Sequence, residues 1–411
     1  MKRILSIILL LPLLAGCAQS VEKQLDNVRK DFSSGEFKNQ KVSDRNLDPL
    51  LAGNALFQQD KFAESDRAFE NINKRMADAQ RTSIAGEVGR ALTNPMSGPY
   101  RPYFMDDLFV SYYQIWSALG ENRIADARVL INQSYAKQQR LSGEYAKMIR
   151  SRERDDSGLA ASLRAENSEW KVFSDIMNPA LTYLAGIYFL NFARSASDFE
   201  TARTYLTRAS GMAPNAGFVR DDIALARARK GPEGIAWIFI ESGFAPRLTE
   251  KRIDWPVFTQ NGVRVMSIAV SDAVVNPAPA RIDGAQLIAD VDAMFMTEHV
   301  EYKINEALRA LASTISKLAL QTVAENQLGP WGSLGAAIYS IATTAAEVRT
   351  WATLPKRIYA MRVEKKNEGL IVLKSGGRVI SEIKIPKVGN HLIYIRYFGD
   401  KAEPKIIELK G

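Results

Sequence analysis

The amino-acid sequence predicts an α+β protein, an irregular N-terminal helical solenoid followed by a β-sheet or sandwich domain with a helical insert. Three observations lead there. Apolar residues recur at helical spacing in three separate blocks before residue 230. Strand-like text begins after the breaker Gly231-Pro232-Glu233-Gly234. One long helical stripe then interrupts that text. The division expected is 1–16 signal, 17–48 anchor and tether, 49–230 helical, and 235–411 β-rich, with the insert at about 284–348.

The chain opens with Lys2-Arg3, an apolar run from Ile4 to Leu14, and then Ala15-Gly16 before Cys17, the single cysteine of 411 residues. A basic start, a short apolar run and small residues make a secretory signal, and the run is below the roughly 20 residues of a bilayer span. Leu14-Ala15-Gly16-Cys17 resembles the bacterial lipobox. The resemblance implies cleavage before Cys17, diacylation of its thiol and usually acylation (palmitate-type) of the new amino group. Two or three acyl chains, at about 0.8 kcal/mol per buried CH2, hold a protein on a membrane. Ala18 stands where aspartate would signal inner-membrane retention, so the outer membrane, facing the periplasm, is the expected location. Without a second cysteine no disulfide forms, and stability must come from burial.

The printed net charge is +8, and 52 basic against 46 acidic side chains remain once Lys2 and Arg3 are removed. That dispersed excess suits anionic lipid or cell-wall polymer and argues against nucleic acid.

Val21 to about Asp48 is polar and reads as a tether with a short helix. Residues 52–72 form the first helical pair, with Ala52, Ala55, Leu56, Phe62, Ala68, Phe69 and Ile72 in phase and a turn at Gln59-Asp60-Lys61. Residues 111–131 repeat the grammar around Leu119-Gly120-Glu121-Asn122, and 181–215 repeat it again, with Ala202 at a close helix approach and Pro214 at the end. Three copies of one unit predict a solenoid. The blocks resemble tetratricopeptide repeats; the third, with Gly186, Phe199, Ala202, Ala209 and Pro214, is the closest.

Strands are expected at 235–242, 251–258, 263–270, 356–363, 369–374, 379–385 and 391–398, with Ser375-Gly376-Gly377 a tight turn. The insert carries Ile304, Leu308, Leu311, Ile315, Leu318 and Val323 in one stripe. Trp331 to Val348, nearly free of charge, reads as a helix buried on all sides, with a dip into a membrane or packing against another subunit as the alternatives.

Chemistry is sparse. With His299 and His391 the only histidines, a histidine triad or multi-histidine metal site is not expected. The chain shows no HExxH, GxSxG, P-loop or dinucleotide fingerprint. No cofactor, no nucleotide, no metal and no catalytic residue is expected. Ile240-Glu241-Ser242-Gly243-Phe244 resembles the glutamate entry of lytic transglycosylases, but its flanks are strands where those enzymes are helical; a peptidoglycan-binding or peptidoglycan-cleaving site near Glu241 is the alternative reading.

Four stretches together resemble an uncharacterised family of bacterial lipoproteins with tetratricopeptide-like N-terminal halves. They are YRPYFMDDLFVSYYQIWSALGENRIADARV at 100–129, NPALTYLAGIYF at 178–189, W-x-F-x-E-x-G-x-x-P at Trp237 to Pro246, and RTWATLPKRIYAMRV at 349–363. The family has no assigned activity, so the resemblance carries over no catalytic residue. Members occur beside other envelope lipoproteins, which implies a role in cell-wall assembly. A non-enzymatic, membrane-anchored scaffold with an envelope protein partner is therefore expected. Tyr100, Tyr103, Tyr112, Tyr113 and Trp116 are the candidate partner contacts, with core packing the competing role for most of those rings.

Overall fold

The structure, a computed structural model, describes residues 17–38, 41–85, 96, 98–152, 158–166, 177–259, 262–328, 345–365, 369–386, 388–400 and 402–410. The signal segment and Trp331 to Thr344 lie outside these, and residues 345–348 are irregular. The described residues form a mixed α+β fold.

Helix α1 spans Cys17–Ser33. Where the sequence suggests a tether with a short helix, the helix runs over Cys17–Ser33: Val21, Leu25, Val28 and Phe32 recur at 3–4 spacing, the last three are buried, and Leu25 and Val28 belong to the main core. A short stripe in polar text is easily passed over, yet it docks the helix. Asp26 accepts from Arg247 at 3.3 Å, and Arg29 Nη2 donates to Thr350 at 3.4 Å.

Three antiparallel helix pairs follow: α2 (Leu47–Gln58) with α3 (Phe62–Ala85), α4 (Phe104–Gly120) with α5 (Ile124–Arg152), and, after the short α6 (Gly158–Glu166), α7 (Pro179–Asn191) with α8 (Ala196–Met212). α9 (Val219–Arg227) closes the series. The first two pairs turn identically. Asp60 and Asn122 take φ of 59° and 57°. Lys61 N bonds Leu56 O, and Arg123 N bonds Ala118 O, the six-to-one bond of a Schellman ending. Glycines set the approach: a Cβ on Gly53 would sit 2.6 Å from the Phe69 ring, and one on Gly186 2.6 Å from Leu206. Ser65, where a small apolar residue would be usual, donates to Gly53 O at 2.8 Å.

Among the described residues nine strands follow α9. β1 (Ile235–Ser242), β4 (Gln286–Asp290), β5 (Arg357–Glu364), β8 (Asn390–Tyr397) and β9 (Pro404–Leu409) form one sheet in the order β4-β5-β1-β8-β9. β2 (Arg247–Thr259) and β3 (Gly262–Val274) make a long hairpin, and β6 (Leu370–Ser375) and β7 (Arg378–Lys384) a short ribbon. The ribbon turns on Gly376 and Gly377, both at positive φ as a two-residue hairpin turn demands. β4 lies where the helical insert was expected to begin. The insert's helix α10 spans Val291–Leu328.

Alternation builds the layers. On β1, Ile235, Trp237 and Phe239 join the core shared with the helices, while Ala236, Ile238 and Ile240 join a second core beneath the ribbon. The first helix of each pair faces the sheet: Phe57 meets Tyr394, Trp116 meets Phe239 and Tyr394, and Tyr183 meets Phe239, all at ring-centroid distances of 5.0–5.6 Å. Accordingly α4 is buried on every side from Phe104 to Leu119.

Candidate functional site

The polar groups sealed between helices and sheet centre on Glu241. Its Oε2 accepts from Tyr113 at 2.8 Å and from Tyr394 at 2.7 Å, and Gln58 donates to the Tyr394 hydroxyl at 2.7 Å. Arg396 Nη1 stands 3.9 Å away, with its guanidinium among Phe32, Phe244 and Phe398 at 5.7, 5.3 and 4.6 Å. Burial pushes the Glu241 carboxyl up from its ordinary range, against the pull of Arg396 and the two phenols.

A raised carboxyl is what a general acid needs, but it must also reach the proton it transfers directly or through one water. Glu241 is 0 % exposed. The arrangement joins the helical and sheet layers through a carboxyl sealed from solvent.

The same account explains the whole W-x-F-x-E-x-G-x-x-P pattern. Trp237, Phe239 and Glu241 alternate onto the helix-facing side. Trp237 Nε1 donates to Asp222 at 3.0 Å, and Asp222 also takes the Tyr183 hydroxyl at 2.7 Å and Arg362 at 2.9 Å. Gly243 has φ +64°, and a Cβ there would lie 2.9 Å from Pro279. The second motif meets the first: Ala245 N bonds Leu354 O, Lys356 N bonds Ser242 O, and Lys356 pairs with Asp292. Trp351, 2 % exposed, packs on Phe69 and Tyr113 at 5.7 and 5.9 Å, as a junction anchor should.

The five rings considered as partner contacts are placed in the interior. Tyr112, Tyr113 and Trp116 are 0 % exposed, Tyr100 1 % and Tyr103 6 %. Their neighbours belong to the same chain: Tyr113 and Trp116 face the sheet through Glu241, Phe239 and Tyr394, and Tyr103 faces Phe295 and Tyr302 of α10, so core packing is the role the structure places them in. Tyr100 donates to Asp106 at 2.7 Å, and Tyr103 Oη lies 3.1 Å from His299 Nδ1. Around them Glu298 of α10 accepts from Phe104 N and Met105 N at 2.7 and 2.8 Å, a buried carboxylate at a helix N-terminus. Asp44 takes Tyr100 N and Arg349. Cys17 is the first residue of α1.

Asp222, Arg362 and Arg396 were not singled out in sequence. The available signal was alternation: on β8, Leu392, Tyr394 and Arg396 fall in phase on the helix side. The two histidines lie apart, His299 on α10 and His391 on β8 beside Lys365 at 3.1 Å. Among the described residues no group of three metal-ligating side chains converges, and no helix is long and apolar enough to cross a membrane. Comparison with protein-family models, with curated proteins and with solved structures found no match.

Proposed function

We propose that this chain is a lipid-anchored lipoprotein of the periplasmic face of the outer membrane, acting as a non-enzymatic scaffold for an envelope protein partner. The observation that carries the reading is the docking of α1. A helix that begins at the lipobox cysteine and buries Leu25, Val28 and Phe32 leaves no long tether between that cysteine and the body, which supports a body held close to its anchor. A scaffold needs that geometry; a freely diffusing enzyme on a tether does not.

The tetratricopeptide-like reading of the helical half belongs to the same proposal. The matched Schellman turns at Asp60 and Asn122 and the close approaches at Gly53 and Gly186 support it. Repeats of this kind present a concave face to ligands. Here the first helix of each pair packs on the chain's own sheet, which favours a partner docking elsewhere. The outer face of the β6–β7 ribbon suits that role. Leu370, Val372 and Val379 are 43 %, 41 % and 39 % exposed there, between Lys374, Glu382 and Lys384.

Metabolic labelling with a palmitate analogue tests the anchor. The native chain should carry label and sediment with outer membranes, and Cys17→Ser should lose both; label retained in the variant contradicts the reading.

A further inference from the structure

Between β3 and β4 the chain runs through Val275-Asn276-Pro277-Ala278-Pro279-Ala280-Arg281-Ile282 without helix or strand. Proline fixes its own φ at about −65° and turns the residue before it away from the helical region. Asn276 to Pro279 are therefore all confined to β or polyproline II backbone. Burial shows which. Asn276 and Pro279 are half-buried and Ile282 is buried, whereas Val275, Pro277, Ala278, Ala280 and Arg281 are exposed. A repeat of three is the period of polyproline II, where a strand would give about two and an α-helix about 3.6.

Every third residue ties this segment to the body. Asn276 Nδ2 donates to Ala245 O at 2.6 Å, Pro279 packs where Gly243 has no Cβ, and Ile282 enters the second core beneath the ribbon. The other two edges, Val275-Ala278-Arg281 and Pro277-Ala280, stand in solvent along a segment of about 22 Å. Polyproline II makes no internal hydrogen bonds. Among the described residues no bond reaches the backbone of Pro277, Ala278 or Ala280, so their carbonyls are open to a ligand.

One end of the segment is cationic. Arg281 donates to Ala285 O through Nε and Nη2 at 3.1 and 2.6 Å, which fixes its guanidinium. Ser375 Oγ donates to Arg281 O at 3.0 Å and Asp283 N to Lys374 O at 2.7 Å, so the β6–β7 ribbon abuts this end with Lys374 and Arg378 exposed. No carboxylate among the described residues pairs with these three cations. Asp283, beside them, is occupied by Gly376 N and Gly377 N, both at 3.2 Å.

We propose that Val275–Ile282 is read by a partner protein through a shallow groove lined with aromatic side chains and flanked by carboxylates. The inference rests on the scaffold reading above and deepens it, naming the chemistry of the envelope protein and extending the docking face from the ribbon to this segment. Aromatic rings fit the ridged surface of polyproline II, and tyrosine hydroxyl or indole N–H groups bond its open carbonyls. Two prolines already hold the bound shape, so little backbone entropy is lost on docking. Carboxylates on the groove's rim complement Arg281, Lys374 and Arg378.

Site-specific photocrosslinking in cells tests this. In the full chain p-benzoylphenylalanine replaces Val275 or Ala280, Val372 on the ribbon, or, as control, Ser197, exposed on α8. Positions 275 and 280 should capture one and the same envelope protein, absent at 197. Mass spectrometry of the product should place the insertion among aromatic residues of that protein flanked by aspartate or glutamate. Pro277→Gly, which frees φ, should lower the yield severalfold, and Ala278→Pro should keep or raise it; both positions are exposed and free of hydrogen bonds. Lys374→Glu/Arg378→Glu should also lower it severalfold. A yield unaltered by Pro277→Gly overturns the proposal, as do a product between two copies of this chain and an insertion site without aromatic neighbours. Capture at 372 alone overturns it and leaves the scaffold reading standing, whereas capture at none of the three overturns both.

Discussion

Replacing Phe32 with alanine should release α1 from the body while leaving the rest folded. Phe32 is 3 % exposed and meets Phe37, Phe398 and Phe244 at ring distances of 4.9, 6.1 and 6.3 Å. Truncating a core phenylalanine costs about 3–5 kcal/mol. Because α1 is the first described element and packs on the body along one side, it can leave instead of preserving a cavity, which favours the lower figure, about 3 kcal/mol. At 1.4 kcal/mol per tenfold, undocking becomes about a hundredfold more frequent. Arg396 keeps Phe244 and Phe398, so the sheet interior is spared. Hydrogen exchange read by mass spectrometry should show protection of residues 19–33 falling by about that factor, with β1 unchanged. Unaltered exchange in α1 would refute its docking. An equal loss in β1 would show that the helix is not a separable unit.

Other consequences follow from the interior. Trp351→Ala should destabilise by about 3–5 kcal/mol, seen as a lowered melting temperature; an unchanged midpoint would refute its burial. Glu241→Leu strands two phenols and leaves Arg396 without its countercharge, at about 3–5 kcal/mol in urea unfolding, whereas Glu241→Gln keeps an acceptor and should cost less than about 2 kcal/mol. Released muropeptides on incubation with sacculi, lost in Glu241→Gln, would contradict the structural role. Burial raises the Asp106 carboxyl to about 7, opposed by its bonds from Tyr100 and Tyr103. The folded state then binds a proton that the unfolded state has released, so this group lowers stability as pH rises from about 4 to 7, by about 1.4 kcal/mol per unit at most. His299, lowered to about 3 by burial first and Lys303 second, acts oppositely, with stability lost as pH falls from 6.5 toward 3. Asp106→Asn should flatten the decline between pH 4 and 7, and an unchanged profile would refute a buried neutral acid there.

Periodicity carried most of the fold. The turns at Asp60 and Asn122 and seven of the nine strands were legible because alternation and helical stripes survive in one sequence. β4 and β9 were not, since QLIAD is five residues inside helical text and PKIIEL carries a proline and two charges. α1 was expected only as a short helix in a tether, and its docking was not legible because four apolar residues in seventeen are a weak stripe until a partner surface is known. The aromatic block in α4 was read as a possible surface for the opposite reason: rings that line a repeat groove look alike whether the occupant is another protein or the chain's own sheet. Only the contact of Trp116 with Phe239 and Tyr394 decides that. Motif residues around Glu241 were visible, but their meaning required Tyr113, Tyr394 and Arg396, far apart in sequence.

The scaffold proposal is tested most directly by isolating the lipidated protein from gently crosslinked cells and quantifying what comes with it. The comparison is with Leu370→Lys/Val372→Glu, a ribbon-face variant whose exposed positions leave folding intact. A stoichiometric envelope protein present with the native chain and lost with the variant is the predicted result. A partner retained in full by the variant would contradict the ribbon as the docking face, and the absence of any specific partner would contradict the scaffold itself.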